Sequence, residues 1–309
     1  MAFEIRSVAV VGCGVMGTGI AEVCALAGFP TVAIKATGGD VSVPRGKVLA
    51  SMDRLVKKGK LTQEARDAAA ERLTFTTELA AAAGADLVIE SAAETLGAKR
   101  DLFARLEGIV RAGAVIGTNT SSLRLTDIAA GMSHPERVVG LHFFSPAQVM
   151  KLVEVAPIPA TRRELTDAAI AFCKAIGKEP VVLKDEPGYV VNRLLVPYML
   201  HAIETLEAKV ATPEAIDTAM KLGCGHPMGP LALADLIGLD VVFAMSRSLL
   251  QELGDTRFRA PALLRRLVHT GQLGRKTKRG LYDYSGEHPV PNPAVFEFDG
   301  PTLQAVATA

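Results

Sequence analysis

Ten residues near the amino terminus constrain this chain more than any others: Val8-Ala9-Val10-Val11-Gly12-Cys13-Gly14-Val15-Met16-Gly17. An apolar run of strand length meets Gly-x-Gly-x-x-Gly, and the residues that follow, Thr18 to Ala27, have helical composition. Strand, tight turn and helix in that order are the opening of a dinucleotide-binding βαβ unit. In such a unit Gly12 permits the turn, Gly14 lets a pyrophosphate approach the backbone, and Gly17 lets the helix pack on the strand. The helix opens on bare N–H groups, those of Val15 and Met16 among them, and turns its positive dipole end to the phosphates. Three glycines also occur in ordinary turns. The flanking strand and helix, with a second strand at Thr31 to Ile34, favour nucleotide binding here.

The end of that second strand departs from the NAD pattern. A carboxylate normally stands there, about twenty residues past the glycines, to accept hydrogen bonds from the adenosine ribose. This chain has Lys35. A cation removes the acceptor and attracts a 2′-phosphate, which favours NADP; alternatively Lys35 is solvated and the site takes NAD with fewer ribose contacts. Asp40 is the nearest carboxylate downstream, and the Gly38-Gly39 loop is a route by which it could return to the ribose.

The 309 residues, 49% of them hydrophobic, suffice for two domains and more than one core. A formal net charge of +1 gives no electrostatic argument for nucleic acid or a membrane surface. Cys13, Cys24, Cys173 and Cys224 are scattered without metal-ligand spacing, so they read as reduced thiols of a cytoplasmic protein and no metal is expected. The segment Met1 to Arg6 runs directly into the first strand, and no signal or transit peptide is expected. No apolar run has the length of a membrane span.

Strand-like runs alternate with helical stretches, at Leu73–Thr76, Leu87–Glu90, Val115–Thr118, Val138–His142 and Pro180–Leu183. That alternation predicts an α/β, Rossmann-type, doubly wound sheet over 1–186. From Tyr189 to Thr270 the pattern is helical throughout, with Pro213, Pro227, Pro230 and Pro261 as expected helix starts. An all-helical domain is therefore expected over 187–285, beyond the turn-forming Asp185-Glu186-Pro187-Gly188. The proline-rich, polar tail, 286–309, is expected to be poorly ordered.

Several side chains could carry chemistry. His142, at the end of an apolar run in Gly140-Leu141-His142-Phe143-Phe144-Ser145-Pro146, would stand at the carboxyl edge of the sheet, where open α/β folds bind ligands. An imidazole there can take and return a hydroxyl proton, and equally it could be a satisfied core histidine. Glu154 would fix its tautomer if the two met, or would simply be a charged strand residue. Asn119-Thr120-Ser121-Ser122 precedes a helix, so an N-cap is the plainer reading, although one hydroxyl could cap while its neighbour faces the cleft. Asn192 is polar in the apolar Tyr189-Val190-Val191-Asn192-Arg193-Leu194-Leu195 and needs partners, a ligand being one candidate. Two basic clusters, Arg54 to Lys60 and Arg275 to Arg279, are solvated faces unless a polyphosphate larger than a dinucleotide uses one of them.

Taken together these segments resemble the short-chain L-3-hydroxyacyl-CoA dehydrogenase family, most closely its bacterial 3-hydroxybutyryl-CoA dehydrogenases. Gly-x-Gly-x-x-Gly, Asn119-Thr120-Ser121-Ser122, His142-Phe143-Phe144-Ser145-Pro146, Pro187-Gly188-Tyr189-Val190-Val191-Asn192-Arg193 and His226-Pro227-Met228-Gly229-Pro230 carry the resemblance from Val8 to Tyr284. It implies interconversion of (S)-3-hydroxyacyl-CoA and 3-oxoacyl-CoA of short chain by hydride transfer with NAD or NADP. It implies His142 as acid/base paired with Glu154, and Ser121 and Asn192 on the substrate oxygen. Glu94, Lys99, Ser121, Ser145 and Lys276 would line the nicotinamide cofactor; Ser51 and Lys58 would meet coenzyme A. A homodimer formed by the helical domain is implied as well. Family members usually carry Asp where Lys35 stands, and more often Asn where Ser145 stands. The same chemistry on an acyl group tethered to a carrier protein, and a non-catalytic crystallin-like relative, are the rival readings.

Overall fold

The computed structural model describes residues 3–295, which divide after Tyr189 into two compact units, three residues beyond the expected boundary. The first unit runs β1 (Val8–Val11), α1 (Val15–Leu26), β2 (Thr31–Ile34), α2 (Ser42–Lys57), α3 (Gln63–Glu71), β3 (Leu73–Thr76), β4 (Leu87–Glu90), α4 (Leu96–Ile109), β5 (Val115–Thr118), α5 (Leu125–Ala129), β6 (Val138–Phe143), β7 (Leu152–Pro157), α6 (Arg163–Ala175) and β8 (Glu179–Val182). The strands form one eight-stranded sheet in the order β3-β2-β1-β4-β5-β6-β7-β8, parallel throughout except for the antiparallel pair β6 and β7. Central strands covered by helices on both faces must be apolar along their length. Accordingly β1, β4, β5 and β6 are buried at every position, and two apolar cores flank the sheet. The exposed β8 closes the sheet and carries Pro180, whose missing N–H an edge strand tolerates.

The expected cap from Asn119 to Ser122 does not form. Helix α5 begins at Leu125, and Asp185 caps it from across the unit, accepting from the N–H groups of Leu125 (2.7 Å) and Thr126 (2.8 Å). A carboxylate at a helix start satisfies orphan donors and meets the favourable end of the dipole.

The second unit holds α7 (Val191–Glu207), α8 (Pro213–Cys224), α9 (Pro230–Ile237), α10 (Leu239–Leu253) and α11 (Ala262–His269), with the short hairpin of β9 (Tyr282–Asp283) and β10 (Val290–Pro291). Its core is separate from the two of the sheet unit. Pro213 and Pro230 occupy first helical positions and Pro261 precedes α11, but Pro227 lies in the loop before α9 and starts nothing. The expected loose tail is in part an ordered segment: β10 pairs with β9, and the buried Asn292 amide donates to Gln272 Oε1 and to the Gly280 carbonyl, each at 2.7 Å. Residues 296–309 of that tail lie outside the described residues.

Candidate active site

In the first unit the strand order reverses at β1 and β4, which opens a crevice beyond their carboxyl ends. Two of the three glycines there close the turn. Gly12 has φ +119°, a Cβ on it would collide with the Ser91 carbonyl after β4, and a Cβ on Gly17 would collide with the Gly12 carbonyl. Gly14 differs, because nothing lies within 4 Å of where its Cβ would stand. It is the N-cap of α1, and no side chain caps the helix. A helix start at Val15 and Met16 that no side chain of the described residues caps, open above Gly14, fits a dinucleotide pyrophosphate. Lys35 follows β2, and its ammonium donates to the Gly38 carbonyl. Asp40 instead accepts from the backbone and hydroxyl of Ser42, at 2.8 and 2.6 Å, and so stays at the entrance to α2.

Below the loops after β4 and β5 lies a buried ionic network. Glu90, fully buried at the end of β4, accepts from Lys99 Nζ at 2.8 and 2.7 Å, from Thr118 Oγ1 at 2.6 Å and from the Ala92 N–H at 2.6 Å. Lys99 also pairs with Glu94 at 3.1 Å, and Glu94 accepts from Thr120 Oγ1 (2.5 Å), Ser121 N (3.0 Å) and Ser122 Oγ (3.3 Å). Burial pushes the Glu94 carboxyl up, but the Lys99 charge and these hydrogen bonds outweigh it and hold the group below the usual carboxylate range. The Ser121 backbone is thereby fixed on Glu94, two carboxylates sharing one buried ammonium. Glu90 was not singled out by sequence, although a charged residue closing the apolar Leu87-Val88-Ile89 was its signal.

His142 and Glu154 face each other across β6 and β7, and His142 Nδ1 lies 2.8 Å from Glu154 Oε2. Because β7 runs antiparallel, its third residue returns to the carboxyl end of β6, which is how twelve residues of separation become a direct pair. The imidazole is buried, with the ring centroids of Phe144 at 4.6 Å and Tyr189 at 5.6 Å. An ionised carboxylate only accepts, so Nδ1 carries the proton and Nε2 is the basic nitrogen. Asn119 ties the neighbouring strand end in place, its Oδ1 accepting from the Phe143 N–H at 2.8 Å.

Beyond β6 the chain turns through a cis Ser145-Pro146 bond into a loop held from two sides. Buried Lys178 donates to the carbonyls of Ala147 (2.6 Å) and Met150 (2.8 Å). Gln148 donates to Glu22 Oε2 (2.8 Å), and the other oxygen of this fully buried carboxylate accepts from Ser51 Oγ on α2 (2.9 Å). Burial pushes Glu22 above the usual carboxylate range against those two bonds. Ser51 therefore spends its proton inside the protein, while Lys58, just past α2, is exposed.

In the helical unit Asn192 is buried in the first turn of α7, and Lys276 pairs with Asp240. Two buried carboxylates there were not anticipated. Asp217 accepts from the N–H groups of Leu231 (2.8 Å) and Ala232 (2.9 Å) at the start of α9 and from Tyr282 OH (2.8 Å). Asp235 accepts from the N–H groups of Leu281 (3.0 Å) and Tyr282 (2.8 Å) and from Tyr284 OH (3.0 Å).

Comparison with known proteins places this geometry among related chains. Residues 7–186 match the family model described as 3-hydroxyacyl-CoA dehydrogenase, NAD binding domain, and residues 188–284 match that of 3-hydroxyacyl-CoA dehydrogenase, C-terminal domain. A 3-hydroxybutyryl-CoA dehydrogenase of Bradyrhizobium diazoefficiens is 42% identical over 94% of this chain and 99% of its own length. The crystal structure of FadB2 from M. tuberculosis superposes with a TM-score of 0.88 at 41% identity, covering 91% of this chain and 100% of that one. The (S)-3-hydroxybutyryl-CoA dehydrogenase PaaH1 from Ralstonia eutropha gives 0.87 at 42%, covering 92% and 100%.

Proposed function

The chain belongs to the 3-hydroxyacyl-CoA dehydrogenase family, and on that premise we propose that it interconverts (S)-3-hydroxyacyl-CoA and 3-oxoacyl-CoA of short chain, with the 3-hydroxybutyryl and acetoacetyl pair favoured. The observation that carries the reading is the buried contact of His142 Nδ1 with Glu154, which leaves Nε2 as the acid/base nitrogen at the sheet edge.

In the oxidative direction Nε2 takes the proton of the substrate 3-hydroxyl, and Glu154 stabilises the imidazolium that results. The nicotinamide ring, when bound, supplies the hydride acceptor. Ser121 donates to the developing carbonyl oxygen, its backbone held by Glu94; Glu94, Lys99 and Ser145 belong to the same reading as cofactor-side groups. From the helical unit Asn192 is read as a second donor to the substrate oxygen and Lys276 as a cofactor contact, on the strength of the family resemblance. Ser51 and Lys58 are read as contacts to coenzyme A, Ser51 acting there as an acceptor because its proton is spent on Glu22. The hydride carrier is NAD or NADP, since Lys35 replaces the residue that would restrict the choice. A homodimer through the helical unit completes the reading; Val210, Leu222, Leu236 and Val241 are exposed apolar residues of that unit.

Steady-state reduction of acetoacetyl-CoA by the purified protein, run in parallel with NADH and NADPH, tests the reaction. Turnover with at least one cofactor is expected. Absence of turnover with both removes the reading.

A further inference from the structure

We infer that Lys35 forms a subsite for the 2′-phosphate of the adenosine ribose and makes NADPH the preferred cofactor. The inference rests on the reading above that the first unit carries a nicotinamide dinucleotide, and it concerns only which one.

The Gly12 N–H donates to the Ile34 carbonyl at 2.8 Å and the Lys35 N–H to the Thr76 carbonyl at 2.8 Å, so the Lys35 side chain leaves the sheet at its carboxyl edge beside the phosphate turn. Burial raises the Cys13 thiol within that turn, and the Lys35 charge partly offsets the rise. An acidic side chain at this strand end would accept from both ribose hydroxyls, whereas an ammonium is donor only and can bind nothing but an acceptor. A phosphomonoester offers three anionic oxygens in place of one hydroxyl.

The surrounding loop supports the amine and withholds the obvious carboxylate. Gly38 and Gly39 take φ values of +68° and +81°, and a Cβ on Gly39 would stand 3.0 Å from Lys35 Nζ. The chain thus wraps the amine closely, through conformations that suit glycine. Lys35 gives one donor to the Gly38 carbonyl, and an ammonium has two more. Asp40, the one carboxylate between Lys35 and Asp53, is held by Ser42 in the turn that opens α2, while Arg45 and Lys47 add two exposed cations in the same span. Within residues 35–52, cations outnumber carboxylates three to one. That balance disfavours a bare ribose recognised by an acid and favours a dianionic substituent.

The test is calorimetric titration of the purified protein with NADP+ and NAD+ in the absence of substrate, alongside the ratio of kcat/KM for NADPH and NADH with acetoacetyl-CoA. Wild type is expected to bind NADP+ at least ~10-fold more tightly than NAD+, with the advantage shrinking between about 0.05 and 0.5 M salt as the phosphate contact is screened. K35A should bring the two within about threefold and K35D should invert the order, while D40N leaves the NADP+ preference in place. Equal or tighter NAD+ binding by wild type, or a ratio unmoved in K35D, overturns the subsite. Loss of NAD+ binding in D40N assigns the ribose to Asp40 and overturns it too. Turnover without NADP preference would sink only this inference; absence of turnover with both cofactors would sink the reaction reading instead.

Discussion

Around the candidate site of the sheet unit the buried carboxylates Glu22, Glu90 and Glu154 face side chains, namely Ser51 and Gln148, Lys99 and Thr118, and His142, with the Ala92 N–H added at Glu90; Asp86, away from that site, faces the Arg6 and Ser7 N–H groups. In the helical unit Asp217 and Asp235 face backbone N–H groups and tyrosine hydroxyls. The physics of satisfaction is the same in both places, since a buried carboxylate without donors is costly. The consequence differs. A side-chain partner is itself titratable or can donate onward, so such a pair can move a proton or aim a hydroxyl. A backbone partner fixes the path of the chain: Asp217 holds the start of α9, and Asp235 holds Leu281 and Tyr282 against the helices. Removal of the Glu154 carboxylate should therefore change rate, and removal of Asp217 or Asp235 stability.

Glu154→Gln should cost the most in rate. The amide turns donors toward His142 and drives the ring to the tautomer in which Nε2 carries the proton and cannot accept another. Turnover is expected to fall by ~100-fold or more, in line with loss of a general base, and His142→Ala to fall as far. The Tm should stay within a few degrees, because the strand pairing is backbone-made. A rate within threefold of wild type for E154Q would show that the carboxylate does not set the tautomer.

For the second unit the expected effect is on stability and depends on pH. Burial, outweighing the N–H donors and reinforced by the Asp217 charge, raises the Asp235 carboxyl from 3.8 to about 6. A group whose folded pKa is raised binds more protons folded than unfolded, so its contribution is fully present below about 3.8 and lost as pH climbs through about 6. The loss is of order 3 kcal/mol at most. Thermal unfolding from about pH 4 to pH 7.5 should show wild type losing stability relative to Asp235→Asn, which has no charge to gain. Parallel curves for the two proteins would mean that Asp235 titrates as an ordinary carboxyl.

Legibility in the sequence followed the same division. Strands β4 and β5 were readable to the residue because central parallel strands are apolar runs, the edge strand β3 because its Leu73-Thr74-Phe75-Thr76 alternates, and the glycine turn because backbone sterics leave few alternatives there. Residues 142 and 154 could be named as candidates, but their contact depends on one antiparallel pairing that no local pattern encodes. The polar supports were hidden for a similar reason. Glu22 looks like an ordinary helix residue until α2 and the loop after β6 close over it, and Asp185 caps a helix sixty residues earlier in the chain. Lys35 was visible as a departure from pattern; the structure added that Asp40 is occupied with Ser42.

The smallest expected effect concerns a buried polar atom that neither unit satisfies. Tyr189 is 4% exposed and has φ +46°, and among the described residues its hydroxyl has no hydrogen-bond partner. The hydroxyl stands over Gly140, where a Cβ would come within 3.0 Å of it, and the ring continues to His142 at 5.6 Å between centroids. Burial, with the charges of Asp185, Glu94 and Glu154 adding to it, holds the phenol well above its ordinary pKa, so it stays neutral and supplies no charge to the site. What it contributes is the packing of its ring. Tyr189→Phe keeps that packing and removes the unsatisfied atom, which should stabilise the protein by about 1 kcal/mol and leave turnover within twofold. Denaturant unfolding of the two proteins measures the difference. A variant less stable than wild type would mean that the hydroxyl has a partner, such as a buried water, and that every buried oxygen around His142 is satisfied after all.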